Sequence, residues 1–108
     1  MTTISFSKNE FKGFKSSVRW YIREIKIDGG TGEQDPDYLM VKNLYDKVAR
    51  NDLKGNYSIS LTEQERKAMI KEIDATIPNI DNTPNERLLF RISNKLKGRK
   101  TIEYPGYL

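Results

Sequence analysis

Residues 59–65 read Ile-Ser-Leu-Thr-Glu-Gln-Glu and join a strand pattern to a helix start. Apolar and polar residues alternate along 57–61, which is typical of a strand with one buried face. Thr62 and Glu65 then have the spacing of a capping box. In that motif the hydroxyl accepts the N–H of the third helical residue, and the carboxylate accepts the N–H of the cap. The stretch therefore predicts a short strand followed by a helix over about 63–75.

The same pattern occurs near the start of the chain, where residues 4–10 read Ile-Ser-Phe-Ser-Lys-Asn-Glu. Ile4 and Ile59 begin the two stretches, so the second copy starts just past the middle of a chain of 108 residues. This predicts a duplicated strand-helix-helix unit, 1–54 and 55–108, with a pseudo-twofold axis and two paired strands. The alternative is that capping boxes recur because helices need them.

Apolar spacing at three and four residues predicts four helices, and period-two alternation predicts two or three short strands. The predicted helices cover residues 8 to about 26, 36 to about 50, 63 to about 75 and 84 to about 97. Asp35 and Thr83 are the predicted N-caps of the second and fourth helices, each followed by proline. The predicted strands cover 2–6, 57–61 and, as a third, 101–104. The expected fold is a helix-rich α+β domain that spans the whole chain.

Composition excludes several kinds of chemistry. The chain has no cysteine and no histidine. Disulfides, thiolate chemistry, histidine-based catalysis and the usual zinc sites are therefore excluded, and we expect no cofactor, no metal and no enzyme activity. No apolar run approaches ~18 residues, and the first residues lack a signal-peptide pattern. We expect a cytoplasmic protein without a membrane partner, either a monomer or a homodimer.

Charge is unevenly distributed along the chain. Residues 8–26 hold six cations and two acids, and residues 87–100 hold six cations and no acid. The intervening residues 27–86 hold seven cations and twelve acids. At ~100° per residue, the cations of the first helix form a stripe beside its apolar face. Such charge separation favours steering toward a charged partner.

Two aromatic residues are predicted to point away from the apolar helix faces, Trp20 on the first helix and Phe90 on the fourth. Cations beside an outward aromatic suit nucleic acid, because cations bind phosphates and aromatic rings stack on bases. We therefore expect a binding module for nucleic acid or a nucleic-acid-handling complex. Its candidate binding residues are Lys12, Lys15, Arg19, Trp20, Arg23, Arg87, Phe90, Arg91 and Lys95.

A purely structural alternative is that the cations of the first and fourth helices lie on solvated faces and that the tail over 104–108 covers both aromatic residues. For Trp20 we expect burial, because an isolated large aromatic is usually covered. A second alternative is functional. In composition the chain resembles phage-encoded host-takeover or anti-defence proteins, including anti-CRISPR-like inhibitors. That resemblance implies a stoichiometric inhibitor of a host nucleic-acid enzyme, with Trp20 and the acidic loop over 28–37 as contacts.

An enzyme pattern also occurs, as a remote alternative. Pro36-Asp37 followed by Asp52-Leu53-Lys54 resembles the Pro-Asp…Asp/Glu-x-Lys signature of a large nuclease superfamily. The resemblance implies that two carboxylates hold Mg²⁺ and that the lysine assists the attacking water. The family places these residues on adjacent strands, whereas here the first pair starts a predicted helix and the second lies in a predicted turn.

Overall fold

The structure, a computed structural model, describes residues 1–27, 36–77 and 83–98. Its elements in chain order are β1 (Thr2–Ser5), α1 (Lys8–Ile27), α2 (Tyr38–Leu53), β2 (Ser58–Leu61), α3 (Glu63–Thr76) and α4 (Thr83–Leu96). Within these ranges the chain is rich in helix and carries one small antiparallel sheet, as the sequence predicted. The predicted third strand, 101–104, lies beyond the part of the chain that is described.

The two strands pair antiparallel, with Ile4 opposite Ile59. Both isoleucine side chains are buried, which places one face of the sheet on the core. The register is symmetric about this pair, because Thr3 faces Ser60 on one side of it and Ser5 faces Ser58 on the other. A twofold axis between two similar halves requires this register, and the duplication itself stays a prediction.

The second helix begins and ends later than the sequence predicted. Pro36 and Asp37 lie in a turn, and Asp37 is the N-cap of α2 without a side-chain capping hydrogen bond. The Tyr21 hydroxyl lies 3.3 Å from the Asp37 carboxylate and donates a hydrogen bond to it. At the other end, Asp52 binds the Lys15 ammonium at 3.0 Å, which stabilises an extra turn of helix. The predicted cap Asp35 lies outside the described residues.

Both predicted strand-to-helix capping boxes are confirmed. The Thr62 hydroxyl accepts the Glu65 N–H at 3.1 Å, and the Glu65 carboxylate accepts the Thr62 N–H at 2.8 Å. Ser7 and Glu10 make the same two hydrogen bonds at 3.2 and 2.8 Å. Each helix therefore begins at a residue that its own sequence fixes. Thr83, the predicted N-cap of the fourth helix, is instead the first residue of α4.

Each capping-box glutamate is buried and is bound by a lysine from the other half of the chain. The Lys95 ammonium of α4 donates to the Glu10 carboxylate at 2.6 Å and to a main-chain carbonyl of β1 at 3.2 Å. The Lys47 ammonium of α2 donates to the Glu65 carboxylate at 3.1 Å and to a main-chain carbonyl of β2 at 2.7 Å. The two glutamates are only 5% and 6% exposed. We call these two contacts the lysine cross-bridges.

The ionisation of Glu10 reflects this environment. Burial raises its pKa, but the Lys95 ammonium together with the Ser7 N–H and hydroxyl outweighs burial and holds the pKa below its usual value. A carboxyl whose pKa is lowered on folding stabilises the protein above the unfolded-state pKa, and this contribution is lost as the pH falls through the folded-state pKa.

The core lies between the sheet and the four helices. Its apolar side chains come from all six elements. The largest fully buried side chains are Phe11, Phe14, Val18, Val41, Leu44, Val48, Ile59, Leu61, Met69, Ile73, Ile92 and Leu96. None of the helices in the described ranges has the length and apolar character needed to cross a bilayer.

We expect Lys95→Met to lower the free energy of unfolding at pH 7 by about 1–3 kcal/mol, because the Glu10 carboxylate would stay buried without its ammonium partner. The loss should shrink as the pH falls below the usual glutamate pKa, since a protonated Glu10 no longer needs that partner. Urea unfolding at pH 7 and pH 4 measures both effects.

The matched control is Lys42→Met, because Lys42 is an exposed lysine of α2. This change should alter the free energy of unfolding by no more than ~0.5 kcal/mol. Equal losses in the two variants, or a loss in Lys95→Met that does not vary with pH, would contradict a structural role for the cross-bridge.

Candidate functional site

The outer side of α1 carries a continuous row of cations. Lys12, Arg19 and Arg23 are exposed, and at ~100° per residue they lie within about 40° of one another around the helix. Lys8 and Lys26 are exposed on the same side. We call these five residues the α1 stripe. Because like charges repel, such a row is favourable only where water or an anionic partner covers it.

Trp20 lies beside the α1 stripe and is more exposed than the sequence predicted. Its side chain is 49% exposed, because it projects from the side of α1 away from the core. The Arg23 guanidinium lies 5.8 Å from the centroid of the indole ring, within the range of a cation–π contact. The segment predicted to cover it, 104–108, lies outside the described residues.

Trp20 forms part of the wall of a groove of about 670 Å³ between α1, α3 and α4. Apolar surface in the groove comes from Trp20, Leu88 and Leu89, and cations come from Lys12 and Arg91. This volume is within the range of sites that bind small organic ligands. The groove thus combines a flat aromatic surface with positive charge.

Gly13 of α1 explains why α4 lies close enough to form this groove. A Cβ atom added at Gly13 would lie 2.9 Å from the Ile92 Cδ1 atom and 3.1 Å from a methyl carbon of Leu88. The missing side chain therefore lets α4 pack directly on α1. The two helices bring Trp20 and Arg91 to the same groove, although these residues are far apart in the sequence.

The structure brings some of the predicted binding residues together. Lys12, Trp20 and Arg91 line the groove, and Arg19 and Arg23 flank it on the α1 stripe. The Arg91 guanidinium also lies 3.5 Å from the Glu10 carboxylate, while its side chain stays 43% exposed. Arg91 can therefore keep this contact and still face a ligand.

The remaining candidates lie elsewhere. Lys15 is held by Asp52 at the junction with α2, and Lys95 is held by the cross-bridge to Glu10. Both ammonium groups serve contacts within the chain. Arg87 and Phe90 are half-buried and do not line the groove. Counting cations along the sequence therefore overestimates the charge that is available to a partner.

A carboxyl group that the sequence analysis missed also lines the groove. Glu72 of α3 faces Glu24 of α1, and its Oε1 atom is buried without a hydrogen-bond partner among the described residues. Burial, the charge of Glu24 and a hydrogen bond between the two carboxyl groups raise the pKa of Glu72 to about 7. No local sequence pattern reveals this pair, because it forms between helices that are distant in the chain.

The residues that resemble a nuclease signature do not converge. Asp37 is the N-cap of α2 and Asp52 lies in its last turn, so at ~1.5 Å per residue about 22 Å of helix separates them. One metal ion cannot bind both carboxylates at that separation. In the described ranges, no group of three or more acidic side chains is arranged to hold a metal ion.

Comparisons with protein-family models, with curated proteins and with solved structures each find no match to this chain. The geometry of the groove and of the α1 stripe therefore carries the functional argument.

We expect Glu72→Gln to stabilise the protein at pH 8 relative to the wild type, and to do so much less at pH 4.5. A carboxyl whose pKa is raised on folding makes the wild type less stable as the pH rises from the unfolded-state pKa to the folded-state pKa, here about 7. From pH 4.5 to pH 8, the difference in free energy of unfolding between the variant and the wild type should grow by on the order of 1–2 kcal/mol. This is less than the free energy that corresponds to the whole pKa shift of Glu72, because the carboxyl is partly solvated. Urea unfolding over this pH range measures it.

Glu24→Gln should change stability with pH in the same direction, because it removes the opposing carboxylate from Glu72. Asp46→Asn is the control, since Asp46 is exposed on α2. A difference between Glu72→Gln and the wild type that stays constant from pH 4.5 to pH 8 would show that the two carboxyl groups do not interact.

Proposed function

We propose that this chain is a small non-enzymatic binding protein that engages single-stranded nucleic acid through the α1 stripe and the adjacent groove. The observation that carries this proposal is the half-exposed Trp20 beside an exposed row of cations. Cations that follow a phosphate backbone, with an aromatic ring for stacking, are the usual parts of a single-strand site. A cytoplasmic location, where such strands are accessible, belongs to this proposal.

The proposed contact set is smaller than the sequence suggested. Lys12, Arg19, Arg23 and Arg91 contact phosphates, and Trp20 stacks on a base. Arg19 and Arg23 are exposed, and Lys12 and Arg91 stand at the groove itself. We leave out Lys15 and Lys95, because releasing either ammonium would leave a buried or half-buried carboxylate without its partner.

We also propose that residues 1–54 and 55–108 are duplicated halves, supported by the symmetric strand register and the two lysine cross-bridges. If the capping boxes are aligned, Trp20 of α1 corresponds to Ala75 of α3, and Arg19 corresponds to Asp74. The helices α1 and α3 share buried positions, but of these two, within the described residues, α1 alone carries a tryptophan beside a row of exposed cations. This difference supports a function for that face, because packing does not require it.

A second candidate is a stoichiometric inhibitor of a host nucleic-acid enzyme that uses the same face. The observation that favours it is the contact between Trp20 and Arg23 beside an apolar groove, since tryptophan and arginine dominate protein–protein hot spots. Most of the acidic loop assigned to this role, 28–35, lies outside the described residues. A complex with one protein that survives nuclease treatment would favour this candidate.

We expect replacement of Lys12, Arg19 and Arg23 by glutamine to weaken binding of a 12-nucleotide single strand and to reduce its salt dependence. Each phosphate contact contributes about 0.7 to the slope of log K against log salt for a single strand, so removing three contacts should reduce that slope by about 2. Titrations from 50 to 300 mM salt measure the slope.

The control triple variant replaces Lys42, Arg50 and Lys54 by glutamine. All three are exposed cations that do not line the groove, and the change in net charge is the same. Equal reductions of the slope in the two triple variants would mean that net charge, not the α1 stripe, governs binding. A wild-type affinity for the strand that does not change with salt concentration would contradict the proposal.

We expect Trp20→Ala to weaken binding of the same strand by about tenfold, because stacking of one base on an aromatic ring contributes about 1–3 kcal/mol. The anisotropy of a fluorescently labelled strand measures the affinity of both proteins, because the variant has no tryptophan. In the wild type, Trp20 is the single tryptophan of the chain, so quenching of its fluorescence reports on this site alone. The control is Leu39→Ala, which removes an exposed apolar side chain of α2. Binding of the strand without any change in tryptophan fluorescence would place the contact elsewhere.

A further inference from the structure

The groove carries a hydrogen-bond acceptor that neither phosphate binding nor stacking uses. Glu72 lines the groove opposite the α1 face that bears Trp20, and its buried Oε1 atom lacks a hydrogen-bond donor among the described residues. A buried polar atom without a partner is unfavourable by roughly 1–3 kcal/mol. A ligand that supplies N–H donors at this position would remove that penalty.

The groups around the groove define the ligand further. Lys12 and Arg91 favour an anion at the rim, and the apolar surface of Trp20 and Leu88 favours a flat ring inside. Glu72 favours N–H donors on the edge of that ring. A nucleotide with donor groups on its base has all three properties, and the positive charge of the rim complements its phosphate.

We propose that the groove takes one unpaired guanine of the bound strand, with the base against Trp20 and with its N1–H and N2 amino group donating to the Glu72 carboxylate. This inference rests on the proposed function, since it specifies which base of a bound single strand enters the groove.

The choice of guanine follows from the chemistry of a carboxylate. An ionised carboxylate only accepts hydrogen bonds, and it offers two oxygens side by side. The hydrogen bond between Glu72 and Glu24 needs a shared proton, so it is lost once both carboxyl groups are ionised. Guanine presents two adjacent N–H donors on its Watson–Crick edge. Adenine and cytosine present one donor next to an acceptor, and thymine presents one N–H between two carbonyl oxygens. Each of these three bases would bring at least one acceptor against a carboxylate oxygen.

The state of Glu72 in the free protein agrees with this assignment. Its pKa is raised to about 7 by burial and by Glu24, so in the free protein the charge of this carboxyl is poorly compensated. Two N–H donors would compensate that charge, as donors to a carboxylate generally do. At pH 8 the carboxyl is ionised for most of the time, which is the form that the proposed contact needs.

The test uses the full chain at pH 8 and low salt. The ligands are 12-nucleotide thymidine strands in which one central position is dT, dA, dC, dG or deoxyinosine, and the signal is Trp20 fluorescence. We expect the dG strand to bind about tenfold more tightly than the dT strand, because a bidentate pair with a base contributes about 1–3 kcal/mol of discrimination. Deoxyinosine lacks the N2 amino group and should lose most of this gain.

Glu72→Gln should abolish the preference for dG, and because it also removes a negative charge from the groove, the readout is the ratio of dG-strand to dT-strand affinity within each protein. Gln is close to the carboxyl in shape, and the deoxyinosine strand tests the same contact without any change to the protein. Equal binding of all five strands with quenching of Trp20 would overturn the guanine assignment and leave the proposed function standing. Failure of every strand to bind at low salt would overturn the proposed function and this inference together.

Discussion

The lysine cross-bridges are the interaction on which the rest of this structure depends. The start of α1 and the start of α3 each use a glutamate carboxylate that accepts a backbone N–H, and Glu10 and Glu65 are almost completely buried. A buried carboxylate needs a cation at hydrogen-bond distance. Lys95 and Lys47 supply it from the opposite half of the chain, and each also binds a strand carbonyl. Sheet pairing, helix starts and the packing of α2 and α4 are thereby linked in one arrangement.

This arrangement also decides which charges reach the surface. A chain with 31% charged residues looks, in sequence, as if it had basic surfaces at both ends. In the structure the basic segment near the C-terminus gives Lys95 to Glu10 and places Arg91 near the same carboxylate. Among the described residues, no salt bridge holds Lys12, Arg19 or Arg23 of α1, and these cations are exposed. The asymmetry of the surface is thus a consequence of how the core glutamates are neutralised.

Much of the fold could be predicted from the sequence because its strongest signals are local. A capping box needs four consecutive residues, and an amphipathic helix shows its spacing over a few turns. The start of α2 could not be predicted in this way, because the Asp37 carboxylate accepts a hydrogen bond from Tyr21, which lies in another helix, and does not cap α2. Glu24 and Glu72, and likewise Lys15 and Asp52, meet only when helices pack. The candidate site was therefore predicted in its aromatic and cationic parts, and its carboxyl group was missed.

The comparison of α1 with α3 shows what remains once packing is accounted for. Both helices follow a strand, begin with the same capping box and bury apolar side chains at matching positions, such as Val18 and Ile73. Folding therefore constrains the two helices in similar ways on their inner sides. Their outer sides are free to differ, and they do: α1 places Trp20 beside a row of cations where α3 places Ala75. A large aromatic side chain that is 49% exposed contributes little to the core. Packing therefore does not account for Trp20, and this is the physical ground for the binding role proposed for the groove.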